Sequence, residues 1–134
     1  MEIKILSAYK NENATIVSFT SEFGDAYAQW NGEEPWSGEE PLIGAIYNVE
    51  IDTDEDLIWE VNIFASSKNR CSIQVDSDGK IKITGCLESL EDDGYAILRM
   101  DGYIIAFMAD NLPNDAVGSY ILLNIKQIMV FPFG

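Results

Sequence analysis

Apolar and polar positions alternate along most of the chain in short runs. These are Glu2–Ala8, Thr15–Phe19, Asp25–Trp30, Leu42–Ile51, Leu57–Phe64, Arg70–Asp76, Lys80–Leu87, Tyr95–Met100, Tyr103–Ala109, Tyr120–Ile125 and Ile128–Phe133. Alternation with period two marks a strand with one face turned to a core, and Asn, Gly, Asp and Glu clusters punctuate the runs. Turn signals at a spacing of roughly eight to twelve residues are the mark of an antiparallel barrel or sandwich. Long 3.6-residue periodicity is absent. Only Leu112–Val117, with Pro113 suited to a first helical turn and Gly118 after it, predicts a short helix.

The pattern echoes itself. Glu2-Ile3-Lys4-Ile5 matches Lys80-Ile81-Lys82-Ile83, and Ile16-Val17-Ser18-Phe19 matches Ile97-Leu98-Arg99-Met100. Gly24 answers Gly102, with Ala26, Ala28 and Trp30 answering Ile104, Ala106 and Met108. Gly44-x-Ile46-Tyr47-x-Val49-x-Ile51 answers Gly118-x-Tyr120-Ile121-x-Leu123-x-Ile125. The expected architecture is therefore all-β and antiparallel, with two duplicated OB-like barrel units, 1–69 and 70–134. A single β-sandwich is the competitor. The second copy runs three meandering strands, a short helix and two more strands, an order that resembles an OB-type barrel. Units this small bury too little surface to be securely stable alone, so the halves are expected to share an interface. The tail Ile128–Phe133, interrupted by Pro132, reads as an edge strand because proline cannot donate to a ladder.

Cys71 and Cys86 flank the hairpin signal Asp76-Ser77-Asp78-Gly79. A two-residue Asp78-Gly79 turn would set the cysteines opposite each other but mix polar and apolar residues on both faces. A three-residue Ser77-Asp78-Gly79 loop with Gly79 left-handed pairs Val75 with Ile81 and Ile73 with Ile83. Hydrophobic pattern fixes register, so the second is expected, with the thiols on opposite faces and reduced.

Charge narrows the function. Eight Lys and Arg stand against 23 Asp and Glu in 134 residues, a net charge of −15, and histidine is absent. Such a surface repels nucleic-acid phosphates and anionic membrane leaflets alike. Without histidine there is no Ser-His-Asp or Cys-His constellation, and no cationic setting surrounds either thiol. Carboxylate pairs are unavoidable among 23 acidic residues and carry no specific signal for glycosidase chemistry. Asp52-Thr53-Asp54-Glu55-Asp56 begins like a calcium loop, yet Leu57 stands where glycine is required and Ile63 where the bidentate glutamate belongs. Neither metal nor other cofactor is expected. No apolar run is long enough for a signal peptide or a membrane span, so a soluble, cytoplasmic protein is expected.

One segment invites a partner. Trp30-Asn31-Gly32-Glu33-Glu34-Pro35-Trp36-Ser37-Gly38-Glu39-Glu40-Pro41 joins two expected strands, whereas its counterpart Asp110–Val117 has no aromatic residue and less charge. Tryptophan is enriched at interface hot spots, and flanking carboxylates steer a cationic partner. Trp36 and Trp30 are thus the expected anchors, and Glu33, Glu34, Glu39 and Glu40 the residues that meet a basic protein. The alternative is that Trp36 caps its own barrel. Small size, strong negative charge and the missing catalytic set resemble those of bacterial immunity proteins, which neutralise a cationic toxin; the resemblance is compositional. The expected function is a non-enzymatic acidic protein-binding module. A structural protein, homodimeric through its apolar tail, and a barrel binding a small molecule on Tyr27, Trp30 and Trp36 are the alternatives.

Overall fold

The structure, a computed structural model, describes residues 1–31 and 40–133. Twelve strands follow one another among the described residues: β1 (Glu2–Asn11), β2 (Ala14–Ser21), β3 (Gly24–Trp30), β4 (Ile46–Asp52), β5 (Asp56–Ile58), β6 (Ile63–Ala65), β7 (Ser72–Val75), β8 (Ile81–Leu90), β9 (Tyr95–Met100), β10 (Tyr103–Asp110), β11 (Tyr120–Ile125) and β12 (Met129–Phe133). The expected helix is a single 3₁₀ turn at Asn114–Ala116, entered from Pro113.

The fold is all-β and built of two barrels. The first closes in the order β1-β2-β3-β12-β4, with β4 returning to β1. The second runs β5-β10-β9-β8-β11-β6 and is nearly closed, because a bridge between Trp59 and Ile63 links its two ends. In each barrel a meander of three strands is followed by a fourth that pairs with the first. The closing strand lies parallel to the third: β12 to β3, and β5 to β10.

The closing strands are exchanged. β12, from the second half, seals the first barrel; β5 and β6, from the first half, seal the second. The sheets therefore trade strands across the expected 69/70 boundary, and a cut there would strip each barrel of its seal. The tail is not an edge: β12 lies between β3 and β4. Ile128 and Val130 direct their carbonyls to Gln29 and Asn31 on the β3 side. By alternation Pro132 turns that way too, where β3 has already ended, so its missing N–H costs no ladder bond. The tail on which a homodimer would rest is thus paired within its own chain. The run Leu57–Phe64 is also not one strand. Glu60 takes a φ of 68° and its N–H donates to the Ile63 carbonyl, while the Asn62 side chain accepts from Ile58 N–H, breaking the run into β5 and β6.

The echo holds at the level of pairing, with different residue matches. A β-bulge interrupts β1 between Ile5 and Ser7 and β8 between Leu87 and Ser89. Pairing outward from these bulges makes Phe19 equivalent to Leu98 and Ala26 to Ile105, as the residues opposite them. The inward set of β10 is therefore Ile105, Phe107 and Ala109; Ile104 and Met108, matched in the echo to Ala26 and Trp30, are exposed. Only the last echo stands as expected: Tyr47 and Ile121 are equivalent, each following a glycine of positive φ, Gly44 at 87° and Gly118 at 92°.

The hairpin register is as expected, with Ile73 opposite Ile83 and Val75 opposite Ile81, and Gly79 at φ 83°. Cys71 and Cys86 are free and half-buried. Inward residues of both barrels form one continuous core, including Ile5, Phe19, Trp30 and Val130 of the first and Leu57, Ile83, Leu98 and Leu123 of the second. Between the barrels, the Tyr27 hydroxyl donates to the Gly79 carbonyl, and the Phe23 and Tyr103 rings meet edge to face at 6.2 Å.

Candidate functional site

Where the two barrels diverge, the outer face of β4 looks across at the outer face of β10. The cleft between them has a volume of about 770 Å³. Period-two alternation decides what enters it. On β4, Val49 and Ile51 point into the first barrel, leaving Glu50 and Asp52 outside. On β10, Ile105 points into the second barrel, leaving Ile104 and Ala106 outside. Phe131, Pro132 and Phe133 of β12 join the lining, with Met1, Tyr95, Gly102 and Tyr103 beside them. The result is an apolar trough with two carboxylates on one wall and, among the described residues, no lysine or arginine side chain along it. Ile104 and Phe133 are each more than half exposed. The Met1 amino group donates to the Val49 carbonyl at 2.9 Å. Burial pushes its pKa below the ordinary value, against the opposing pull of Glu50, Glu22 and Glu2.

The backbone of the β10 wall is open. Ala109 N–H donates to the Gly94 carbonyl on the β9 side, and Asp110 accepts from Trp59 N–H on the β5 side. Directions alternate along a strand, so Ile104 and Ala106 turn their N–H and C=O groups toward the β5 side. β5 reaches β10 only at Met108, Ala109 and Asp110. Among the described residues, no strand pairs with Ile104 and Ala106 there.

The residues singled out from the sequence fare differently. Trp30 is corrected: it is 3% exposed, inside the first barrel, its ring edge-on to Tyr47 with centroids 4.9 Å apart. It shares the inward side of β3 with Ala26 and Ala28, small neighbours beside which a large ring has room, and it presents no surface to a partner. Glu40 is exposed. Glu33, Glu34, Trp36 and Glu39 lie outside the described residues. Tyr27 and Trp30, expected to stack a ligand, are engaged in the barrel contact and the core.

The acidic segment Asp52–Asp56 serves as a brace. Glu55 Oε2 accepts the Lys126 and Gln127 N–H groups at 2.9 and 3.0 Å, Asp52 Oδ1 accepts Thr53 N–H at 2.8 Å, and Thr53 Oγ1 donates to the Gln127 carbonyl. Among the described residues, no group of three or more Cys, Asp or Glu is placed to hold a metal ion. Burial pushes the Cys71 thiol above its ordinary pKa, which opposes thiolate chemistry. No helix among the described residues is long and apolar enough to cross a membrane.

Sequence reasoning did not foresee the cleft, because its walls come from β4, β10 and β12. A signal was present. Tyr103–Ala109 and Ile128–Phe133 are apolar on both faces, the pattern of strands covered on two sides. Their inner faces fill the barrels and part of their outer faces lines the trough. Comparison of the chain with protein-family models, with curated proteins and with solved structures found no match.

Proposed function

We propose that the protein is a non-enzymatic binding module for a basic protein, acting in the cytoplasm in the manner of an immunity protein that neutralises a cationic toxin. The observation that carries this reading is the uncompensated anionic surface. The net charge is −15, and the described residues contain two ion pairs, Lys82 with Asp76 and Arg99 with Glu88. A field of this kind accelerates encounter with a cationic partner and repels other anionic proteins. Two free thiols accord with a reducing compartment.

Affinity capture from the native host at low and high salt tests the proposal. The expected result is a basic protein retained at low salt and released as salt rises, chiefly through slower association. Reversing Glu33, Glu34, Glu39 and Glu40 to lysine and changing Trp36→Ala should each weaken capture. A retained set with no excess of basic proteins, or retention indifferent to salt, would overturn the proposal.

A further inference from the structure

We infer that the inter-barrel cleft takes an extended segment of the partner, added as a strand to the open edge of β10, with basic side chains on Glu50 and Asp52 and apolar ones on Ile104 and Phe133. The inference rests on the protein-binding reading above and assigns it a surface and a mode. Unpaired N–H and C=O groups on a strand edge are a template for another strand, and β-addition draws affinity from main-chain bonds and specificity from alternate side chains. The cleft supplies both parts: the Ile104 and Ala106 backbone for pairing, and an apolar floor with acidic positions for reading side chains.

Charge selects the occupant. Open edges invite self-association unless charge guards them. Here the guard is Glu50 and Asp52 on a chain of net charge −15, so a second copy would bring like charges together in the trough. A segment alternating valine-like and lysine-like residues meets no such repulsion. Its basic positions neutralise the wall while its apolar positions cover exposed Ile104 and Phe133.

The probe is a capped eight-residue peptide of alternating valine and lysine. It is compared with a valine–glutamate peptide and with the valine–lysine peptide N-methylated at alternate amides, which removes the donors a strand would offer. Binding is followed by anisotropy and by amide chemical shifts of the full chain. The valine–lysine peptide should bind roughly tenfold or more tightly than either comparison peptide. Its shifts should centre on Ile104 and Ala106. The double variant Glu50→Gln, Asp52→Asn, both at exposed positions, should weaken it at low salt and much less at high salt. Equal binding of the N-methylated peptide, shifts centred elsewhere, or absence of valine–lysine binding would overturn the assignment. Capture of the natural partner separates the two readings. A basic protein held as well by the double variant as by the wild type, but lost on reversing Glu33, Glu34, Glu39 and Glu40, leaves the binding module standing and removes the cleft. No basic protein captured by the wild type removes the module itself, on which the cleft assignment rests.

Discussion

The two barrels follow one pairing plan but treat the start of the third strand in opposite ways. In the first, the β2–β3 turn is seated on β7: Ile73 N–H donates to the Phe23 carbonyl at 2.8 Å, and a Cβ at Gly24 would lie 1.9 Å from the Ile73 carbonyl oxygen. In the second, the equivalent turn at Asp101-Gly102 is held more lightly: the Cys71 thiol donates to Asp101 Oδ1 at 4.0 Å, and nothing lies within 4 Å of a Cβ at Gly102. β7, which pairs with β8 of the second barrel, has no repeat on the first, so it covers the β2–β3 turn and leaves Gly102 uncovered. The candidate site therefore sits where the internal symmetry fails, on a strand whose counterpart turn is buried against a neighbour.

That contrast is sharpest in a pair of glycine variants. Gly24→Ala combines a backbone overlap with a φ of 134°, and should cost about 3 kcal/mol or more. Gly102→Ala should stay within about 0.5 kcal/mol of the wild type. Urea midpoints measure both, and comparable losses would show that the two turns are not differently held.

The exchange of closing strands predicts crossed effects of somewhat smaller size. Leu57, in the first half of the sequence, is fully buried in the second barrel, and Leu57→Ala should cost roughly 2–5 kcal/mol. Amides of β10 should lose hydrogen-exchange protection before those of β1 and β2. Val130→Ala should do the reverse, loosening β3 and β4 first. Parallel loss in both barrels from either change would mean that the shared core unfolds as one unit and the exchange has no local signature.

The smallest effect belongs to the hairpin that breaks the symmetry. Lys82 Nζ lies 2.5 Å from Asp76 Oδ2, and this bond, with help from Ser77 N–H, holds the Asp76 carboxyl below its ordinary 3.8; Lys82 is raised above 10.5. A depressed carboxylate contributes stability above its unfolded value that is lost as pH falls through the folded one. A raised lysine contributes below its unfolded value and loses it as pH rises through the folded one. The pair thus helps across the neutral range and fades below about pH 4, by a slight amount because it is exposed. Asp76→Asn should flatten the acid limb of the stability profile, leaving the alkaline limb less steep as well.

Much of this was legible from the sequence. Ten of the eleven expected runs match strands, because alternation reports which face meets the core. The eleventh, Leu57–Phe64, concealed a turn at Glu60, a residue type that gives no warning of positive φ. The β7–β8 register was readable because a one-residue slip would have buried Asp76 and Gln74. The echo was harder. A slip of two or four residues preserves every face, so Ile3 and Ile5 aligned with Ile81 and Ile83 in place of Gly85 and Leu87. In β10, apolar on both sides, even a slip of one left no visible penalty. Which barrel a strand joins is set by crossovers that leave no local trace, so the exchange was invisible. The cleft, made by that exchange, was invisible with it.

The exchange also orders events on the ribosome. Residues 1–52 hold four of the five staves of the first barrel, yet the fifth is delivered only when Val130 has been translated. At about 5–20 residues per second this leaves the nascent half waiting for several seconds, with β3 and β4 open to any strand that drifts by. An acidic chain suits that interval, since neighbouring nascent copies repel one another until the last stave arrives.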